Sequence, residues 1–290
     1  MNNAFKGGTA ALYSNLRIPE KRETALRVAK ILRDCGLRVR IPDIICQDDG
    51  SFDRLGAAKV AKESLFEGAA LAVVVGGDGT VLETARYVAG RGVPILAVNM
   101  GRVGYMTEIE PDELNLIPKI IDGQGRIEKR STLSLKVNGE YPADSVALND
   151  IVVSNSVISQ VIDISVSESG QTAGRYRADG IIFSTATGST AYNVAAGGPV
   201  IDPRLRCIAV TPVCPHTYYS KPTVFPPDAS LDVSLAGFRG RAAHVYVDGR
   251  LAAKAGRNDR IEVTTSDKTV DFIRIKPAKF YQTLHRKNEL

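Results

Sequence analysis

Leu71-Ala72-Val73-Val74-Val75-Gly76-Gly77-Asp78-Gly79-Thr80-Val81-Leu82 is the stretch on which the fold turns. Its opening apolar run reads as a strand buried on both faces, the mark of a parallel sheet. Glycines around an aspartate follow, and then Val81, Leu82, Ala85 and Val88 fall on one face of a helix. In open α/β sheets, ligands bind at strand ends of this kind. Glycines let backbone amides approach phosphate oxygens closely, and the start of the next helix favours anions through its unpaired N–H groups and its dipole. Gly76, Gly77, Gly79 and Thr80 are therefore expected to cradle phosphate. Asp78 sets a carboxylate beside that polyanion, which makes chemical sense if it accepts a proton from an attacking hydroxyl. An isolated Asp-Gly suits a plain turn equally well. Neither familiar phosphate motif applies: no GxxxxGK[ST] follows a strand, and Leu82 stands where the third glycine of GxGxxG belongs.

Working outward, residues 10–16 and 37–42 read as strands. Between them residues 20–34 carry Ala25, Val28, Ala29 and Leu32 at helical spacing before Cys35-Gly36 stops the helix. Residues 93–99 make a further strand. The alternation predicts a parallel α/β sheet. Near residue 115 the texture changes to short period-two runs separated by Gly, Asn, Asp and Pro. Residues 131–136, 145–153, 161–167, 180–184, 231–235, 244–247, 260–264 and 270–275 read as strands, with Asp248-Gly249 as a turn. The prediction is an α/β N-terminal domain over residues 1–114, rejoined by a helical tail at 276–290, and a mostly-β, sandwich-like domain over 115–275.

Composition narrows the function classes. A chain of 290 residues exceeds what one compact core usually holds, and 44% hydrophobic with 24% charged residues is ordinary for a globular protein. The longest apolar run, residues 68–76, is too short to cross a bilayer, and the start lacks a signal pattern, so a soluble cytoplasmic protein is expected. The formal charge of +5 is spread along the chain, which argues against nucleic acid and suits a phosphorylated small molecule. Cys35, Cys46, Cys207 and Cys214 form no framework, and His216, His244 and His285 lack metal-ligand spacing.

The GGDGT loop resembles that of the ATP–NAD kinases, which share it with diacylglycerol-type and sphingosine-type lipid kinases and phosphofructokinase-like enzymes. Two further segments narrow the resemblance. Leu148-Asn149-Asp150 is similar to that family's Asn-Glu/Asp motif, and Asp179-Gly180-Ile181-Ile182-Phe183-Ser184-Thr185-Ala186-Thr187-Gly188-Ser189-Thr190-Ala191-Tyr192-Asn193 with its continuation to Pro199 resembles its longest signature. Weaker echoes lie at Gly101-Arg102-Val103-Gly104-Tyr105-Met106-Thr107 and at Thr211-Pro212-Val213-Cys214-Pro215-His216, so the resemblance spans roughly residues 70–285.

The resemblance implies a kinase that moves the γ-phosphoryl group of ATP to the 2′-hydroxyl of NAD's adenosine ribose, with Mg²⁺ or a similar ion, in a homodimer or homotetramer. Asp78 would deprotonate the hydroxyl and Gly79 would contact substrate. Asn149 and Asp150 would hold the adenine and ribose, and Arg177 and Asp179 would meet the dinucleotide. Thr190, Ala191, Tyr192, Asn193, Val194 and Ala195 would line the nucleotide pocket. The residue chemistry agrees in kind, with amide and carboxylate edges for sugar and base, a guanidinium for phosphate and a ring for stacking. Taken singly, Asn149-Asp150 also fits a loop between strands, and residues 187–190 also fit a helix cap. Ala186 replaces the family's usual proline and Lys221 its usual arginine. No carboxylate cluster for the metal is legible, which leaves it to ATP oxygens and water. A lipid kinase sharing the loop is the alternative, and a dinucleotide-binding regulator without catalysis a third reading.

Overall fold

The computed structural model describes residues 5–43, 50–102, 104–156, 160–216, 220–237 and 242–288; Cys46, Val103 and Tyr219 lie outside them. The chain separates into one unit of Met1–Lys129 with Val270–Leu290 and another of Arg130–Thr269.

The first unit runs β1 (Thr9–Ser14), α1 (Pro19–Asp34), β2 (Arg38–Pro42), α2 (Ser51–Arg54), β3 (Ala58–Val60), β4 (Leu71–Gly76), α3 (Asp78–Val88), β5 (Ile95–Asn99) and α4 (Leu116–Lys119). Every residue of β4 and β5 is buried, as inner strands of a parallel sheet require. β4 lies between β1 and β5, with Ser14 opposite Val75 and Gly76 opposite Asn99, and β2 and β3 extend the sheet beyond β1, all parallel. α1 opens on Pro19, buries Ala25, Val28, Ala29 and Leu32, and stops where Gly36 takes φ 84°. At that stop the Gly36 and Leu37 N–H groups donate back to Arg33 and Leu32 carbonyls.

The second unit begins within β6 (Arg126–Val137) and continues through β7 (Val146–Ala147), β8 (Asp150–Asn155), β9 (Ile162–Glu168), β10 (Gln171–Ala178), β11 (Gly180–Ser184), α5 (Tyr192–Ala195), β12 (Ile208–Val213), β13 (Thr223–Phe225), β14 (Ser230–Ala236), β15 (Ala243–Val247) and β16 (Arg250–Ala255). β17 (Ile261–Arg274) leads back to the first unit, which ends with α6 (Phe280–Asn288). One antiparallel sheet has the order β13-β12-β11-β8-β15-β16, and in the other β9 lies between β10 and β14, which pairs β17. Alternate residues of both sheets, among them Ile151, Val153, Phe183, Val210, Ile164, Val166, Leu231 and Val233, share one core, which makes this unit a sandwich.

The α/β unit with its parallel sheet and the mostly-β unit are the predicted fold class. Some elements differ in extent. Residues 145–153 form β7 and β8 with Leu148 and Asn149 between them, because those backbone groups bond elsewhere. The runs expected at 260–264 and 270–275 fall within or at the ends of one strand of 14 residues, Ile261–Arg274. β3, β10, β12, β13 and β16 carry weak or broken alternation and were not read from the sequence.

Candidate active site

Asp78 is the first residue of α3, at the C-terminal end of β4. Its carboxylate is gripped by the backbone: the Tyr105 N–H donates to Oδ2 at 2.9 Å and the Met106 N–H to Oδ1 at 3.0 Å. The glycines around it serve close approach. A Cβ on Gly76 would come within 2.4 Å of Thr80 Oγ1, and one on Gly104 within 2.5 Å of Asp78 Oδ1. Asn99, opposite Gly76, accepts the Gly101 N–H on Oδ1 at 3.2 Å and donates through Nδ2 to the Glu110 carboxylate. The Thr80 and Val81 N–H groups make the first helical bonds, both to Gly77. Gly76, Gly77, Asp78, Gly79 and Thr80 thus form one turn at a strand end, with Asp78 aimed by the segment at 104–106.

The second unit assembles the other signatures. Gly188 passes so close to Asn149 that a Cβ would stand 2.1 Å from the Asn149 carbonyl oxygen. Thr185 bridges the two segments: its hydroxyl donates to Leu148 at 2.6 Å and accepts the Gly188 N–H at 3.0 Å, and its own N–H donates to Asn149 at 2.9 Å. Asp248, legible from sequence only as half of a turn, organises the Asn149-Asp150 segment. Oδ2 accepts the Leu148 N–H at 2.8 Å, and Oδ1 accepts those of Asn149 and Asp150 at 2.8 and 3.1 Å. Its signal was a non-glycine residue at φ 48° in an Asp-Gly turn, which a sequence does not display.

Held in this way, Asn149 has a buried side-chain oxygen, Oδ1, with no hydrogen-bond partner among the described residues. A buried acceptor left open costs about 1–3 kcal/mol, which a donor from outside the chain would recover. Asp150 is 7% exposed. Burial pushes its carboxyl up to about 7, with the nearby Asp248 charge adding to the rise, and burial pushes Asp248 up to about 6 against the pull of its N–H donors.

Tyr192, half exposed at the start of α5, has its hydroxyl raised first by burial and then by the charges of Cys214, Asp150 and Asp179, which places these groups in one neighbourhood. Arg177, on β10, is exposed and 3.9 Å from Asp163. Asp179 joins β10 to β11, its backbone bonded to Val213 and Asn155. Thr190 ends the 3-10 turn Gly188–Thr190, and Ala191 leads into the single helical turn of Tyr192, Asn193, Val194 and Ala195. The Asn193 amide is spent inside the protein, donating to Ser189 and Pro199 and accepting from the Thr211 hydroxyl at 2.7 Å. Gly198 closes that turn, since a Cβ there would meet Asn193 Oδ1 at 2.2 Å.

Among the described residues no group of three or more His, Cys, Asp or Glu could hold a metal ion, and no helix is long and apolar enough to cross a membrane.

Two family models together match most of the chain, as the ATP-NAD kinase N-terminal domain over residues 12–124 and the ATP-NAD kinase C-terminal domain over residues 148–275. The chain belongs to the ATP-NAD kinase family. The N-terminal match starts well before residue 70, where the resemblance first became legible. The NAD kinase of Aromatoleum aromaticum is 34% identical over 96% of this chain and 92% of that protein. An NAD kinase from Archaeoglobus fulgidus, solved in complex with ATP, superposes with a TM-score of 0.73 at 26% identity, covering 96% of this chain and 97% of that one. A yeast NADH kinase, solved with NADH, has the same fold, with a TM-score of 0.86 at 18% identity over 98% of this chain and 88% of that one.

Proposed function

We propose that this ATP-NAD kinase family member transfers the γ-phosphoryl group of ATP to the 2′-hydroxyl of NAD's adenosine ribose, giving NADP and ADP, with Asp78 as general base. The observation that carries the assignment is the Asp78 carboxylate, fixed by the Tyr105 and Met106 N–H groups beside the glycine turn that opens α3. Each of its oxygens keeps a lone pair free for an incoming hydroxyl proton. Gly76, Gly77, Gly79 and Thr80 take the phosphates at the positive end of α3. The open Oδ1 of Asn149 accepts from an amine or hydroxyl of the dinucleotide, and Asp150 takes a ribose hydroxyl. Arg177 and Asp179 meet its polar groups, Tyr192 offers a ring to stack on, and Thr190, Ala191, Val194 and Ala195 line the pocket that Asn193 pins in shape. A magnesium ion carried by ATP oxygens and water needs no carboxylate cluster from the protein, and Asp78 stands within the phosphate turn as a carboxylate such an ion could meet. When bound, such an ion neutralises charge developing on the transferred group. The relatives named above are kinases of NAD or NADH, and none is a lipid kinase, so that alternative is set aside. Homodimers or homotetramers working in the cytoplasm complete the reading.

The test is Asp78→Asn, which preserves size but takes no proton. Turnover should fall about 10²–10⁴-fold, the usual loss of a general base, with NAD affinity largely kept. Turnover within a few-fold of the parent at saturating ATP and NAD would remove Asp78 from that role.

A further inference from the structure

Arg274, the last residue of β17, carries a charge into the interior of the first unit at 6% exposure. Its Nη1 lies 3.1 Å from the Met106 carbonyl oxygen, 3.3 Å from that of Thr107 and 3.2 Å from Glu108 Oε2. Its Nη2 reaches Glu128 Oε1 at 3.5 Å. Glu108 is equally buried, and its Oε1 accepts the N–H groups of Ile275 and Lys276, both at 2.7 Å. The residues at 106–108 are therefore tied to the end of β17 by a guanidinium on one side and a carboxylate on the other.

A buried ion pair is a weak source of net stability, because desolvation offsets most of the attraction. Geometry is what this one supplies. Met106 gives its N–H to Asp78 and its C=O to Arg274, so one residue has its backbone fixed from both ends. Tyr105, which holds the other Asp78 oxygen, immediately precedes it. Without the guanidinium the Met106 and Thr107 carbonyls lose their shared donor, and the segment that grips Asp78 is held from residue 108 onward, through Glu108 and its bonds to Ala97, Ile275 and Lys276.

We propose that Arg274, held by Glu108, is a positioning residue for phosphoryl transfer: it fixes the segment 105–107 whose N–H groups aim the Asp78 carboxylate at the acceptor hydroxyl. The proposal rests on the reading of Asp78 as base. Arg274→Lys keeps the charge opposite Glu108 but replaces the rigid fork by a flexible point charge, which holds two carbonyls and a carboxylate poorly. A misplacement of about 1 Å at a reacting group lowers rate by about 10²-fold, so a drop of about 10- to 100-fold in kcat is expected, with the Michaelis constants for NAD and ATP within about 3-fold.

The experiment is a double-mutant cycle on the full chain, measuring kcat, both Michaelis constants and Tm for the parent, Arg274→Lys, Asp78→Asn and the double variant. A residue that acts through Asp78 has little left to do once Asp78 takes no proton. The lysine change should then alter kcat by less than about 2-fold in the asparagine background, the non-additivity expected of groups acting as one unit. A merely structural role lowers Tm and moves kcat by the same factor in both backgrounds, and that result overturns the proposal. So does a parent-like kcat in Arg274→Lys. Should Arg274→Lys yield no folded protein, Glu108→Gln, which keeps the acceptor for Ile275 and Lys276 and drops the charge, carries the same cycle with the same expectations. Asp78→Asn alone separates the two failures: fast turnover there removes the base, and with it the proposal, whereas slow turnover with equal losses in both backgrounds removes Arg274 alone.

Discussion

Asp150→Asn should make the protein more stable, and by an amount that grows with pH. The Asp150 carboxyl is 7% exposed beside the Asp248 carboxyl, and the two effects together lift it from the ordinary 3.8 to about 7. Below pH 3.8 the group is protonated whether the chain is folded or not, and it has no influence on stability. Between there and about pH 7 the unfolded chain has released the proton and the folded one still holds it. Stability therefore falls as pH rises through that window and stays at its lowest above it. The interval is roughly three pH units, and at about 1.4 kcal/mol for each the full penalty is about 4 kcal/mol. Asparagine keeps the shape and never ionises, so the difference in unfolding free energy between Asp150→Asn and the parent should climb from near its pH 4 value by a few kcal/mol at pH 8. Urea titrations of both proteins at pH 4.5, 5.5, 6.5 and 7.5, without nucleotide, measure it. A difference that stays flat, or that shrinks with pH, refutes the account of this buried carboxyl pair.

Gly188→Ala should destabilise by about 1–3 kcal/mol, as overpacking against immobile backbone does, because the new methyl would fall on the Asn149 carbonyl; a melting curve matching the parent's would contradict the close approach. Gly104→Ala puts a methyl against the Asp78 carboxylate, and should reduce kcat far more than Tm, checked by running both on one preparation. Asn149→Ala removes the open acceptor, and should raise the NAD Michaelis constant about 3- to 100-fold, the range for one lost hydrogen bond with or without a stranded partner, while the ATP constant changes little; unchanged NAD affinity would take Asn149 out of the site. Light scattering should find dimers or tetramers, and a monomer at working concentration would refute that assembly.

The parts of the fold legible in the sequence are those where one local signal suffices. Residues 71–75 are apolar without a break, and all of them are buried. Ala25, Val28, Ala29 and Leu32 recur at helical spacing, and they form the buried stripe of α1. Asp78 was legible because an aspartate in a glycine turn at a strand end is chemically pointed. What stayed hidden depends on partners far along the chain. Glu108 and Arg274 are separated by 166 positions, and nothing near either announces the other. Asp248 reads as a turn because turns favour Asp-Gly, while its carboxylate reaches back to residues 148–150 through bonds that leave no periodic trace. Asn193 is a polar residue in a signature segment, yet its amide is consumed internally, a distinction only packing reveals.

The strand that ends in Arg274 also sets an order of events on the ribosome. Residues 130–269 are contiguous and have all been synthesised before the end of β17 and α6 appear. The unit that starts the chain cannot finish until the last residues emerge, since β5 takes its outer neighbour from Phe272 and Glu108 its countercharge from Arg274. Until then the nascent first unit carries an unpaired strand edge, the feature most apt to recruit a chaperone or another chain, and a carboxylate that still lacks its countercharge. A chain cut short before residue 270 leaves the beginning of the protein permanently in that state.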